Sequence, residues 1–230
     1  NTDIKSFNPA LIVLDNFKSK KQEIEHLSKI APLILVDEGS FEKNHKAASY
    51  VLDIIPSLKE KKRNLQEIGL LDFRSCQKRD RQNIKETDKK RVLISLGGED
   101  PAVLGKKAKE LMEKVFEKFA FFYEIEVLSP ENPIGFLKEK LWTYDLVITH
   151  YGLTAFEALV SACQVLLLGT SKIHEKLAKK YGFNYIPRRK MKEKSFEKII
   201  LPIISTKKPS SKETIHPIFS SLFEMDFATS

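Results

Sequence analysis

A chain of 230 residues, 42% of them hydrophobic and 30% charged, holds enough apolar material for one large or two modest globular domains and is not the composition of a disordered protein. Its formal net charge of +8 suits an anionic ligand or surface. No apolar run reaches the roughly 18–20 residues needed to span a bilayer, and two cysteines, Cys76 and Cys163, cannot build a disulfide framework; both read as reduced thiols of a cytoplasmic protein.

The opening N-T-D-I-K-S-F-N-P is polar, unlike a secretory signal, and lacks Met, so the sequence is expected to be a fragment. Pro9–Asp15 is an uninterrupted apolar run ending in an acid, the pattern of a strand buried on both faces of a parallel sheet. Ser19–Ile30 places Ile24, Leu27 and Ile30 three apart among charges and predicts an amphipathic helix. Pro32–Asp37 and Ala48–Ile55 predict two further strands, the first with a D-E-G-S turn behind it, the second stopped by Pro56. Residues 57–90 carry no strong period and read as loop, short helix and linker. Residues 59–90 hold eleven Lys or Arg against six Asp or Glu, but only Phe73 interleaves them, so a solvated surface is expected there and not a nucleic-acid site.

From Arg91 strands and helices alternate. Strands are predicted at Arg91–Leu96, Phe121–Leu128, Tyr144–Thr149, Gln164–Leu168 and Asn184–Ile186. Helices are predicted at Pro101–Phe119, Ile134–Leu141, Thr154–Ala162, Ser171–Tyr181 and Lys192–Ile204, with Asp100 as a plausible N-cap and Gly182 as a C-terminal stop. That alternation implies a doubly wound parallel sheet. Ser205–Lys212 is loop, and Ile215–Met225 regains a helical period.

Two strands end in glycine and open into a helix: V-L-I-S-L-G-G-E-D at Val92–Asp100, and D-L-V-I-T-H-Y-G-L-T-A-F-E-A at Asp145–Ala158. Such a turn presents backbone N–H groups at the positive end of a helix, and two on one parallel sheet suit a phosphorylated ligand. The candidates at this edge are Gly97, Gly98, Tyr151, Gly152, Leu153 and Thr154. An ordinary βα turn accounts for the same glycines. Thr154 and Glu157 form T-x-x-E, which reads equally as a capping box or as a carboxylate free to accept hydrogen bonds from ribose hydroxyls. His150 ends its strand at the presumed cleft, placed for acid–base work or a phosphate contact, or simply to bond a neighbouring loop; His174 opens the next helix as a weaker candidate. Asp15, Asp37 and Glu38 end strands of the first half and suit a sugar or acceptor side, although turn chemistry explains them too. No Walker A, G-x-G-x-x-G or G-x-S-x-G pattern is present, and no Cys/His cluster has metal-ligand spacing.

At these residues the chain resembles the C-terminal half of GT-B nucleotide-sugar enzymes: V-L-I-S-L-G-G-E-D-P, Y-D-L-V-I-T-H-Y-G-L-T-A-F-E-A-L and V-L-L-L-G-T-S-K-I-H-E-K-L-A-K-K-Y-G carry the likeness. It looks closest to the UDP-sugar hydrolase of pseudaminic-acid synthesis and its spore-coat-polysaccharide relatives, with the lipid II-forming N-acetylglucosaminyltransferase more distant. The resemblance spans residues 10–185 and is most specific over 91–182. It implies an α/β fold of two Rossmann-like parallel-sheet domains: a partial N-terminal one with its charged linker over 1–88, a nucleotide-binding one over 89–206, and a loop and helix over 207–230. It implies a UDP-sugar as substrate, no metal or other cofactor, Glu157 on the ribose, and the amides of Gly152–Thr154 on the diphosphate. The expected activity is glycosyl transfer in polysaccharide or nonulosonic-acid synthesis, with UDP-sugar hydrolysis or catalytically silent binding as alternatives. The family's opening G-x-G-H-x-x-R loop, with its proposed base, has no counterpart in this sequence, and His150-Tyr151 stands where relatives carry small residues.

Overall fold

The computed structural model describes residues 4–16, 19–36, 46–56, 58, 64–66, 73, 75–78, 89–97, 104–129 and 134–205. Residues 1–72 and 73–230 form two units.

In the first unit, β1 (Ile12–Asp15), β2 (Leu33–Val36), β3 (Tyr50–Asp53) and β4 (Asn64–Gln66) form a parallel sheet in sequential order. Helix α1 (Lys21–Leu27) buries Ile24 and Leu27 against Leu33, Leu35, Ala48 and Val51, the face that their spacing of three predicts. The expectation that Pro9–Asp15 is buried on both faces fails. β1 alternates half-buried and exposed residues, with Val13 58% exposed, because it is an edge strand paired to β2. The apolar run instead describes the inner strand β2, where Leu33 and Leu35 are fully buried. β4 falls inside the stretch read as linker: Asn-Leu-Gln has no apolar run, and pairing with β3, Val51 opposite Asn64, is what makes it a strand.

The second unit is the predicted doubly wound layer. Its strands are β5 (Lys90–Ser95), β6 (Tyr123–Val127), β7 (Leu146–Thr149), β8 (Gln164–Gly169) and β9 (Asn184–Pro187), all parallel, in the order β6-β5-β7-β8-β9. Its helices are α2 (Leu104–Lys118), α3 (Leu137–Lys140), α4 (Leu153–Val160), α5 (Lys172–Lys180) and α6 (Glu193–Ser205). Strand period sorts the core. Val92, Ile94, Leu146, Ile148, Leu166 and Leu168 pack with Met112 and Phe116 of α2 and Phe196 and Ile200 of α6. Each such side chain stabilises the fold by roughly 1.5–3 kcal/mol on burial. Tyr151, Phe156, Tyr181 and Phe183 form a separate aromatic cluster, with edge-to-face pairs at 5.6–6.0 Å and Tyr151 stacked on Tyr181 at 6.0 Å.

Three helices end alike. After α5, Gly182 turns left-handed (φ 74°), its amide donating to Lys179 and that of Phe183 to Ala178. This double bond satisfies the last carbonyls of the helix. α2 and α4 close with the same pair of bonds, but alanines, Ala120 (φ 53°) and Ala162 (φ 57°), hold the left-handed position.

At the amino ends of β5 and β7, the Arg91 amide donates to the Asp145 carboxylate at 2.8 Å and the Arg91 guanidinium lies 4.9 Å from the centre of the Tyr144 ring, whose hydroxyl donates to Glu126 of β6 at 2.6 Å. This clamp pins β5, β6 and β7 in register. Cys76 and Cys163 are buried, and no disulfide joins them. Among the described residues no helix is long and apolar enough to cross a membrane. The predicted helix at Ile215–Met225, the N-cap proposed at Asp100 and the helix start at Pro101 lie outside the described residues.

Candidate functional site

The chain runs from β5 outward to β6 and then returns to β7 on the other side of β5. Connections therefore leave in opposite directions between β5 and β7, and the carboxyl ends of these two strands form a switch point, the usual ligand position in such sheets. Gly97 follows β5 there; His150, Tyr151 and Gly152 follow β7; Thr170 follows β8. The two glycine edges predicted from sequence thus meet at the switch point.

Both glycines make room for one side chain. Gly97 has φ 83°, the left-handed region that disfavours L side chains. A Cβ built on it would sit 3.3 Å from Cε1 of His150, and one on Gly152 would sit 3.0 Å from its Nε2. The imidazole of His150 therefore lies against the backbone at both strand ends. It stacks on His174 of α5, with centroids 5.4 Å apart and planes 28° off parallel. His174 is held in turn: its Nδ1 shares a hydrogen bond with the Thr170 hydroxyl, and its amide donates to the Ser171 side chain, the N-cap of α5, at 3.1 Å. Nδ1 of His150 and the hydroxyl of Thr149 are buried with no hydrogen-bond partner among the described residues. Burial pushes the His150 imidazole below its usual range. Burial, and then the neighbouring His150, push His174 down to about 4. Both rings are neutral at pH 7.

The capping box expected at Thr154 and Glu157 is not formed. Gly152 is the N-cap of α4, in extended conformation, and no side chain caps the helix there. Thr154 is the second residue of the helix, which puts Glu157 two residues past the position from which a side chain reaches back to the cap amide. The opening amides of α4, Leu153 and Thr154, thus have no side-chain partner at the cap, and the helix presents a positive end at the switch point. α5 differs, because Ser171 closes its first turn.

Freed from capping, Glu157 lies half-buried on α4, its carboxylate 3.8 Å from the ammonium of Lys138 on α3. Burial raises its pKa against the pull of Lys138. It is a carboxylate with unspent acceptor capacity, shielded from bulk water.

The remaining candidates separate. The Tyr151 ring is 3% exposed and committed to the aromatic cluster, so this residue offers only backbone to a ligand. Leu153 is 47% exposed at the start of α4. Asp15 stands exposed at the carboxyl end of β1 in the first unit. Gly98, Asp37 and Glu38 lie outside the described residues. Among the described residues no group of three His, Cys, Asp or Glu could hold a metal ion. Thr170 and Lys138 were not foreseen. Thr170 follows a third strand that ends in glycine before a helix, L-L-L-G-T-S, the same pattern as the other two edges; Lys138 carries no sequence signal of its own.

Neither a family model nor a curated protein matches the sequence. Solved structures match its fold. The glycosyltransferase of kitacinnamycin superposes with a TM-score of 0.60 at 12% identity, over 94% of this chain and 71% of that one. A UDP-GlcNAc 2-epimerase from Methanocaldococcus jannaschii, in complex with UDP-GlcNAc and UDP, superposes with a TM-score of 0.54 at 12% identity, over 96% of this chain and 79% of that one. S. aureus MnaA with UDP gives a TM-score of 0.57 at 11% identity, over 93% and 71%. The fold is thus that of the GT-B glycosyltransferases and UDP-sugar epimerases: α/β, with two parallel sheets.

Proposed function

We propose that this chain is a GT-B-type enzyme that binds a nucleotide sugar, UDP-linked, with the diphosphate on the open amino end of α4 and the ribose hydroxyls on Glu157. The observation that carries the reading is the switch-point corner, where two glycine strand ends, an uncapped helix start and a shielded carboxylate meet. Amides fixed at a helix end stabilise a diphosphate as charge grows on it during departure from the sugar, and they need no metal to do so. UDP is bound in two of the fold's solved neighbours, which supports uridine as the nucleoside.

On this reading the chemistry is displacement of UDP from the anomeric carbon, in the synthesis of a cell-surface polysaccharide or nonulosonic acid. Transfer to an acceptor hydroxyl is the leading form, because glycosyltransferases are among the structural neighbours; attack by water gives the hydrolase that the sequence resembles. His150 is the proton acceptor or phosphate contact nearest the corner. Incubating the full chain with UDP-GlcNAc and following free UDP, with and without glycan acceptors, tests both. UDP release that needs an acceptor supports transfer, and release in water alone supports hydrolysis. Binding in calorimetry without release supports a silent binding module. Failure of any UDP-sugar to bind overturns the proposal.

A further inference from the structure

The imidazole pair has a property that nucleotide binding alone does not require. Two neutral rings lie stacked at 5.4 Å beside the opening of α4. One is fixed by a hydroxyl and by a capped helix; the other is pressed between two glycine positions and has a buried nitrogen without a partner among the described residues.

We propose that His150 and His174 act as one proton-accepting pair at this corner: a diphosphate that enters is bound together with a proton on the stacked imidazoles, and His174, clamped by Thr170, is the residue that positions the His150 ring. This rests on the nucleotide-sugar reading above and adds a proton to it.

Without ligand, burial keeps both rings neutral, and each disfavours charge on the other. An anion a few ångströms away favours an imidazolium, so one ring is protonated in the complex at a pH where neither is protonated in the free protein. A second proton is opposed by the first, because like charges at this separation repel. Uptake is therefore at most one proton per site. Among the described residues, the other charged groups on the surrounding elements are Glu157 on α4, Lys138, Glu139 and Lys140 on α3, and Lys172, Glu175, Lys176, Lys179 and Lys180 on α5. β5 and β8 reach this end in Gly97 and Gly169, neither of which titrates; Glu175 packs over Gly169 at the mouth of β8. Glu157 is raised by burial, but its partner Lys138 holds it back, and a carboxylate that took up the proton would lose the charge that ribose hydroxyls bond. The imidazoles are the better acceptors.

The sign follows. The bound state has the higher imidazole pKa, so the added affinity is complete at acid pH and fades as pH rises through the bound-state pKa. For one proton the dissociation constant changes up to tenfold per pH unit in that window.

The test is calorimetry of the full chain with UDP-GlcNAc, whose two phosphates each carry one ester and one shared anhydride bond and so do not titrate between pH 5.5 and 8. Titrations run in two buffers of different ionisation enthalpy at each pH. The account expects net proton uptake of up to one and weakening affinity from pH 6 to 8. His174→Phe keeps a stacked ring but leaves His150 as the lone imidazole of the pair, so the pH window of the affinity is expected to shift from that of wild type. Thr170→Val, which frees His174 Nδ1, is expected to reduce proton uptake without abolishing binding. Binding with no proton exchange, or an unchanged pH profile in both variants, overturns the pair while leaving the nucleotide-sugar reading intact. Absence of binding at every pH overturns both.

Discussion

Gly97 and Gly152 touch the same imidazole but for different backbone reasons, and exchanging each for alanine separates packing from conformation. At Gly97 the backbone is left-handed (φ 83°), and the new Cβ lies 3.3 Å from the His150 ring. A left-handed alanine costs roughly 1–2 kcal/mol. For a protein of this size that lowers Tm by roughly 2–8 °C, at 2–4 °C per kcal/mol. At Gly152 the backbone is extended (φ −172°), a conformation open to any residue. Alanine is the poorer N-cap by up to about 1 kcal/mol, and the lower entropy of its unfolded chain offsets about 0.4–1 kcal/mol. Its Cβ, however, falls 3.0 Å from Nε2 of His150 and must push the ring aside while adding a methyl group at the mouth of α4. The account expects Gly152→Ala to hold Tm within about 2 °C and to lose tenfold or more in UDP-sugar affinity, the value of about one charge-assisted hydrogen bond. Thermal melts and calorimetry on both variants decide. If Gly152→Ala binds as wild type while its His150 ring resonances are unshifted, the corner is not where the anion sits.

Other consequences are as direct. Glu157→Gln is expected to leave Tm at pH 7 unchanged or higher, because a raised carboxylate pKa means that the charge is borne at a cost above that pKa, and to weaken UDP-sugar binding about tenfold; a lower Tm with unchanged binding would make Glu157 a purely structural residue. Both imidazoles titrate below their unfolded value, so unfolded chains bind more protons between pH 6.5 and about 4. Stability is therefore full above pH 6.5 and falls through that window, and His174→Phe should flatten the fall in a pH series of thermal melts. Ala162→Gly, at the left-handed end of α4, is expected to raise stability by about 1 kcal/mol in denaturant unfolding, and a loss would contradict the strain assigned there. Phe116→Ala, at a fully buried site between α2 and the sheet, should cost about 3–5 kcal/mol.

Particular residues show how far the sequence could be read. The second unit was legible because its strands are apolar runs buried on both faces, such as Val165–Leu168, and its helices carry clear stripes such as Ala108, Met112 and Val115. The ends of α2 and α4 were harder to place, because the left-handed stop is an alanine with no composition signal. β1 read as fully buried because edge and inner strands share a pattern when the edge stays apolar; Val13 is exposed nonetheless. β4 was invisible because its strand character comes from pairing with β3. At the corner, the glycines and His150 were placed by their strand ends, and the structure brings them together. Glu157 was legible as a carboxylate, but its freedom was not: T-x-x-E has capping spacing, and only the start of the helix at Gly152 shows that the spacing is out of register. The stacking of His150 on His174 joins the end of β7 to helix α5 across 24 residues of sequence, which no local pattern encodes.

The central claim is that a nucleotide diphosphate binds the exposed amides where β7 turns into α4. Titrating UDP-GlcNAc into isotope-labelled full-length chain, and following the amide resonances of Gly152, Leu153 and Thr154, tests it most directly. The account predicts saturable shifts at these amides and at Gly97, reduced in Gly152→Ala. Unmoved resonances there, with binding absent or mapped to another surface, would contradict it.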